Sequence, residues 1–252
     1  PGVRRVVVQL SFTHPVDAQS LESRVQLNDG TARKFSVAYD KFKLTASLQS
    51  EPLPIPDETQ AMEVTIAKGV QAQRGGPGTP SEIVKSVDVP GLYSLAITEV
   101  GATIVSNDAG DPEHILHVSA SMAVHERAMA KAVQAWLLPR ALREGDDAMD
   151  WSDPAEVTEA VLKRATPLKL EAVASEREVT TTGDYRMPQA EGGRFVFVRV
   201  AKGLSTPGGY QLGAMRQDVF QLKTFAPELS IMSKGSLLAL SGAKKLPLLV
   251  RD

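Results

Sequence analysis

Along the first hundred residues, apolar and polar positions alternate with a period of two, the pattern that puts apolar side chains on one face of a strand. The β-branched run "RRVVVQLSF" at 4–12 predicts a strand, and "THPVD" ends it, Pro15 and Asp17 favouring a turn or one short helical turn. In "LESRVQLND" the inward candidates are Leu21, Val25 and Leu27, and Asp29-Gly30 is a hairpin turn signal. "RKFSVAYD" places Phe35, Val37 and Tyr39 on one face, and "KFKLTASLQS" does the same for Phe42, Leu44, Ala46 and Leu48. A proline-rich extended edge, "EPLPIPDET", precedes a further strand at 61–67. "AQRGGPGTPSE" at 72–82 reads as a flexible connection, followed by the strand segments "IVKSVDVPG" and "YSLAITEVGATIVSN". Roughly seven short strands punctuated by turns predict a β-sandwich of immunoglobulin-like size over 1–107.

"NDAGDPE" at 107–113 marks a boundary, and the rhythm then changes. After the strand "HILHVSAS", residues Met122, His125, Met129, Ala132, Val133, Trp136 and Leu137 recur at three- and four-residue spacing, which predicts one face of a helix. Ser119 or Ser121 is its expected cap and Pro139 its end. A second short helix is expected with Asp153 as cap, Pro154 at its first position and Val157, Ala160 and Val161 on its apolar side. The segment 120–165 therefore reads as a helical insert in a β domain spanning 108–227. Strand grammar returns in "LKLEAVAS" and in "GGRFVFVRVAKGL". There Phe195 and Phe197 face one way and Val196, Val198 and Val200 the other, as in a central or helix-covered strand. "MRQDVFQLKTF" closes the domain, and 228–252 reads as a strand pair opening a third module. The fold class expected is mainly β, in tandem sandwiches.

Composition narrows the function classes. The 28 Lys and Arg are balanced by 30 Asp and Glu, for a net charge of −2, and the basic side chains are scattered. Arg4-Arg5 and Lys244-Lys245 are the densest basic spots and read as solvated strand flanks, so no nucleic-acid partner is expected. The chain has no cysteine, which excludes thiol catalysis, disulfides and cysteine-based zinc sites. No run of about 20 apolar residues spans a membrane. The chain starts at Pro1 without a signal sequence and runs straight into a strand pattern, so it reads as a piece of something longer.

Phosphate-binding loops, dinucleotide fingerprints, HExxH and EF-hand loops are missing from the sequence. "RGGPGT" at 74–79 lacks a following lysine and reads as a surface turn, as does Gly208-Gly209-Tyr210. Of the four histidines, His14, His114, His117 and His125, the middle pair is three residues apart, and a strand would send them to opposite faces. A helix would instead bring them together near Asp111 and Glu113. Serine, histidine and aspartate are all present, but no serine lies in a nucleophile elbow, and a triad needs convergence that a sequence does not display. Tyr39-Asp40 and Gly183-Asp184-Tyr185 have hairpin readings. Glu144, Asp146, Asp147 and Asp150 make an acidic patch that reads as a solvated linker. Met129, Trp136, Leu137 and Leu138 read as packing of the insert on its own sandwich rather than as a groove for a partner. No catalytic, cofactor-binding or metal-binding residue is assigned, and no cofactor is expected.

Taken in order, "VVVQLSFTHPVDAQSLESRVQL" (6–27), "FSVAYDKFKLTASLQSEPLPIP" (35–56), "VHERAMAKAVQAWLLP" (124–139), "GRFVFVRVAKGLSTPGGYQLG" (193–213) and "LSIMSKGSLLALSGAKKLPLLVRD" (229–252) resemble the early macroglobulin-like domains of bacterial alpha-2-macroglobulins. The resemblance implies fibronectin-like sandwiches strung along a large periplasmic protein, with room for an inner-membrane anchor on the full-length chain. It implies a host-defence role as a protease inhibitor, in which a protease cuts a bait segment and is trapped. Bait and thioester would lie outside this region. Its partners would be adjacent domains of the same chain and, for the full-length protein, proteases, with a periplasmic protein partner as a further expectation. The residues carried over are structural: Phe12–Asp17 as the turn after the first strand, Ala135–Pro139 as the helix end of the insert, and Gly208–Tyr210 as the turn before the closing strands.

Three readings are thus set against one another: a non-catalytic module of a protease trap, an envelope scaffold or docking module for a periplasmic partner, and a hydrolytic accessory domain that would lean on Asp146 or Asp147.

Overall fold

The computed structural model describes residues 4–107, 109–141, 147–173, 177–231 and 248–251. The chain is mainly β, and its sheets are antiparallel. Residue contacts divide it into two compact units, and neither is a continuous stretch of chain. One comprises residues 1–96, 121–125 and 202–214, and the other residues 97–120, 126–201 and 215–252.

The first unit is built from β1 (Val7–Ser11), α1 (Ala18–Glu22), β2 (Val25–Asn28), β3 (Ala32–Arg33), β4 (Phe35–Tyr39), β5 (Thr45–Ser50), β6 (Gln60–Ile66) and β7 (Ile83–Val89). One sheet has the order β1-β5-β4 and the other β3-β2-β6-β7. Their inward side chains meet in two clusters. Ala46 and Leu48 of the first sheet join Val25 and Ile66 of the second, with Val16, Leu21 and Val70. Val6, Leu27, Leu53, Met62 and Val64 form the other. This is a sandwich, and the alternation that predicted it is seen in β2, where Val25 and Leu27 are buried between exposed neighbours.

Local chemistry fixes the turns. Asp17 caps α1 by accepting from the Ser20 amide at 2.7 Å, so the expected helical turn forms. Asp40 accepts from the amides of Thr45 (2.7 Å) and Phe42 (3.2 Å) and closes the β4–β5 connection. That turn takes up the start of the expected Phe42–Leu48 strand. Ala46 and Leu48 are buried, but Phe42 and Leu44 are exposed, and Lys43 has a positive φ of 53°. The 72–82 connection is tied down rather than loose. Thr79 accepts from the amides of Gly69 and Val70 through its hydroxyl, both at 3.1 Å, and Gly78 packs against the Gly69 backbone, where a Cβ would approach within 2.5 Å.

The loop 202–214 belongs to the same unit. Leu95 bridges Leu212 in parallel, the Gln211 amide donates to the Leu92 carbonyl at 2.8 Å, and the Arg4 guanidinium lies 5.2 Å from the Tyr210 ring centre. Gly209, at φ 88°, makes the turn expected at 208–210.

The second unit contains β8 (Ile97–Ser106) and most of β9 (Pro112–His125), then α2 (Glu126–Ala132), β10 (Val133–Leu137), a 3-10 turn (Pro154–Glu156), α3 (Glu159–Leu162), β11 (Thr166–Leu168), β12 (Glu171–Ala172), β13 (Val179–Arg186), β14 (Phe195–Val200) and β15 (Arg216–Gln221). Its sheets have the orders β12-β13-β9-β8 and β11-β10-β14-β15, and β16 (Glu228–Ile231) pairs with β17 (Leu248–Arg251).

The long helix expected from Met122 to Leu137 does not form. Its ends are strand, and only the seven residues of α2 are helical. Ser119 and Ser121 lie within β9 and cap nothing. Ala135–Pro139 is accordingly strand and strand exit, not a helix end. The physical reason is tertiary pairing: β10 hydrogen-bonds in register with β14 from Val133↔Val200 to Leu137↔Val196, and Val133, Ala135 and Leu137 are buried at strand spacing. The second short helix is split in two: Asp153 caps only the 3-10 turn, and α3 starts on its own cap, Thr158. Asp153 accepts from the Ala155 amide at 2.8 Å ahead of Pro154, and Val157 and Val161 are buried, although Ala160 is exposed. With Trp151, Leu162 and Ala165 they cover Phe197, so β14 is both central in its sheet and helix-covered on one face.

Candidate functional site

A network of hydrogen-bonded polar side chains lies on the outer face of the β12-β13-β9-β8 sheet. Even positions of β9, from His114 to Ala120, are buried, so Glu113, His117 and Ser119 share the opposite face. On β13, Gly183 and Tyr185 point inward and Asp184 and Arg186 outward. Cross-strand pairs follow from this alternation. Arg186 Nε donates to Glu113 Oε1 at 3.0 Å. His117 Nδ1 lies 2.6 Å from Asp184 Oδ1, and His117 Nε2 lies 2.8 Å from Ser119 Oγ. A carboxylate only accepts, so the proton on neutral His117 belongs on Nδ1, which leaves Nε2 to accept from the Ser119 hydroxyl. On β12, Glu171 is the register partner of Arg186, and the bonded Lys169 ammonium holds its carboxyl below the ordinary range, with Arg186 adding to the effect.

The order carboxylate, imidazole, hydroxyl is the order that raises the nucleophilicity of a serine. Hydrolytic turnover needs more, namely donors converging on the oxyanion. β9 has a hydrogen-bonded strand on each side, which commits its backbone amides to the sheet. The hydrolytic expectation placed elsewhere leans on Asp146 or Asp147. Asp147 and Asp150 are exposed, and Glu144 and Asp146 lie outside the described residues, as do Lys244 and Lys245.

The other histidines go separate ways. His114 points inward, 2% exposed, with Nε2 2.8 Å from the Lys223 carbonyl and its ring stacked on Phe225 at 4.6 Å. It is thus on the face opposite His117, as strand geometry requires. His14 is exposed beside Thr13. No cluster of three metal-ligating side chains occurs among the described residues. Met129, Leu137 and Leu138 are buried, so that stripe is core. Trp136 is half-buried, with the Arg199 guanidinium 5.3 Å from its ring. Asp40 serves its turn, Tyr39 ends β4 and donates its hydroxyl to Glu22 Oε1 at 3.1 Å, and Asp184 is a strand residue rather than a hairpin one. His117 and Ser119, two apart on a strand, were a visible signal; the partner 67 residues onward was not.

In the first unit an apolar cleft of about 380 Å³ opens between β1 and the 70–79 segment, lined by Leu10, Phe12, Val16, Ile66, Val70 and Ile83. No helix among the described residues is long and apolar enough to cross a membrane.

No family model matches the chain. It is 30% identical over 263 residues to the alpha-2-macroglobulin homolog of Yersinia pestis, an alignment covering 99% of this chain. Along nearly its whole length the chain is similar to bacterial alpha-2-macroglobulins. The alpha-2-macroglobulins of Rickettsia conorii and Pasteurella multocida are each 27% identical over 96% and 99% of the chain. The chain spans only 13–14% of the length of these alpha-2-macroglobulins. Among solved structures, native alpha-2-macroglobulin from Escherichia coli, spanning domains MG0-NIE-MG1, aligns with all of this chain and 76% of its own, at 11% identity and a TM-score of 0.30.

Proposed function

We propose that this chain is a non-catalytic structural module of a periplasmic, protease-trapping alpha-2-macroglobulin-like protein, and that residues from 228 onward open a further macroglobulin-like module. The observation that carries the reading is similarity to alpha-2-macroglobulins along 96–99% of the chain, with no large stretch left over for an added catalytic domain. The physical role is to hold neighbouring modules in register through complementary faces. The test uses the full-length protein. A challenging protease should cut it once in a sensitive segment, the product should migrate as a more compact species, and the protease should keep activity on small peptides while losing large substrates. Full activity on both substrate sizes, with no shape change, refutes the trap.

A second reading, an envelope scaffold that docks a periplasmic protein, draws on β7. This edge strand exposes Ile83 (45%), Val84 (49%) and Val87 (37%). It predicts that the 252-residue chain alone retains a defined periplasmic protein in stoichiometric amount and that Val84→Glu abolishes the retention.

A further inference from the structure

The geometry points to Ser119 as an activated serine that accepts an acyl group from an activated ester, a covalent modification site on the outer face of the β12-β13-β9-β8 sheet. Three observations converge there. The first is the relay itself: Asp184 Oδ1 at 2.6 Å from His117 Nδ1, and His117 Nε2 at 2.8 Å from Ser119 Oγ. It fixes both the tautomer and the ring orientation that a general base requires.

The second is a β-bulge. The register between β8 and β9 shifts from Ile97↔Ala120 to Glu99↔Ser119, so Thr98 is inserted opposite Ser119. A bulge interrupts the ladder and leaves the extra residue out of pairing, which frees backbone polar groups and re-aims side chains. Thr98 and Glu99 are both exposed, so the strand beside Ser119 is open to solvent. The third is room. The register partner of His117 is Gly101, and a Cβ placed there would meet nothing within 4 Å. An incoming ester has access to the imidazole and hydroxyl from the β8 side.

In the step, Ser119 Oγ attacks the ester carbonyl carbon as its proton passes to His117 Nε2. The new Oγ–C bond forms, the ester C–O bond breaks, and the leaving alcohol or phenol takes the proton back from Nε2. One bulge is a thin substitute for a set of converging oxyanion donors. The reaction therefore suits esters with good leaving groups, and the acyl-serine accumulates instead of turning over.

The experiment incubates the 252-residue chain with p-nitrophenyl acetate, and separately with a fluorophosphonate probe, and locates the adduct by intact mass and peptide mapping. Ser119 should be the serine modified fastest. His117→Ala should slow its modification roughly 100-fold, the lower end of general-base assistance, and Asp184→Asn should slow it by about tenfold or more. Glu113→Gln, which cuts the neighbouring pair on the same face, should leave the rate unchanged and so separates activation from a general loosening of the sheet. Modification spread evenly over the exposed serines, or a Ser119 rate unchanged in His117→Ala, overturns the assignment. Neither outcome bears on the trap reading, whose test is made on protease substrates.

Discussion

Gly183 sits inside β13 where a side chain has no room. A Cβ there would lie 2.6 Å from Tyr185 Oη and 2.7 Å from Met129 Sδ, both belonging to residues buried to within 2%. Glycine in a strand interior marks this kind of close approach. Gly183→Ala is expected to lower stability by roughly 1–3 kcal/mol, the usual range for overpacking, as read from urea unfolding midpoints. The neighbouring Tyr185 hydroxyl has no hydrogen-bond partner among the described residues. A buried hydroxyl without a partner costs about 1–3 kcal/mol, so Tyr185→Phe should match or exceed the parent stability at neutral pH, by roughly 1 kcal/mol. The same substitution removes Oη and should recover part of the Gly183→Ala loss, a coupling that a double-mutant cycle measures. Burial, with lesser contributions from Glu126 and Asp184, pushes the Tyr185 phenol above its ordinary value. The unfolded chain therefore loses this proton first as pH rises past about 10, and stability declines there. Tyr185→Phe should flatten that alkaline decline; an unchanged slope would count against the assignment.

At the scale of elements, carboxylates set the acid side. The backbone amides at Thr45, Phe42 and Leu44 hold the Asp40 carboxyl below the ordinary range, and the Arg33 guanidinium does the same for Asp29 in the β2–β3 hairpin. As pH falls towards about 4, the unfolded state takes up protons that the folded turns still refuse, so stability drops until the folded pKa values are passed. Asp40→Asn should lower the urea midpoint at pH 6 and narrow the gap between pH 6 and pH 3; an unchanged gap would place the acid sensitivity elsewhere. These turns were legible because each aspartate acts on groups two to five residues away, amides for Asp40 and the Arg33 guanidinium for Asp29. The stretch 122–137 was not. Its apolar positions fit a helix at three- and four-residue spacing, but Val133, Ala135 and Leu137 fit a strand equally well, and the tie is broken by β14 some sixty residues downstream. Helical propensity won only where β14 does not reach, in the alanine-, methionine- and lysine-bearing turn of α2. The Asp184–His117–Ser119 relay was hidden for the same reason. Half of it is a two-residue spacing within one strand, and the other half is a strand pairing.

For the whole molecule, the order of residues along the chain is not the order of packing. The first unit takes in 121–125 and 202–214 as well as 1–96, and no local pattern announces a loop that returns across more than a hundred residues. Its contribution is concrete. Leu204 and Leu212 are 5% and 7% exposed, Leu212 bridges Leu95, and Gln211 donates to the Leu92 carbonyl. From the other segment, Ser121 Oγ accepts from the Ala96 amide at 3.0 Å and the Ser121 amide donates to the Ala96 carbonyl at 2.8 Å. A fragment ending at Ala96 keeps both sheets of the sandwich and loses all of these contacts. Burying one leucine is worth about 1.5–3 kcal/mol, so the loop supplies several kcal/mol to a unit whose total stability is of that order. In a domain of this size each kcal/mol moves the melting temperature by about 4–8 °C. The 1–96 fragment should therefore melt at least about 10 °C below the 252-residue chain. Within the intact chain, Leu212→Ala should reproduce part of the loss and reduce amide exchange protection at 92–96 while leaving β14 protected. Equal melting of fragment and chain, with unaltered exchange at 92–96 in Leu212→Ala, would show the sandwich to be self-sufficient and the returning loop to be a passenger on it.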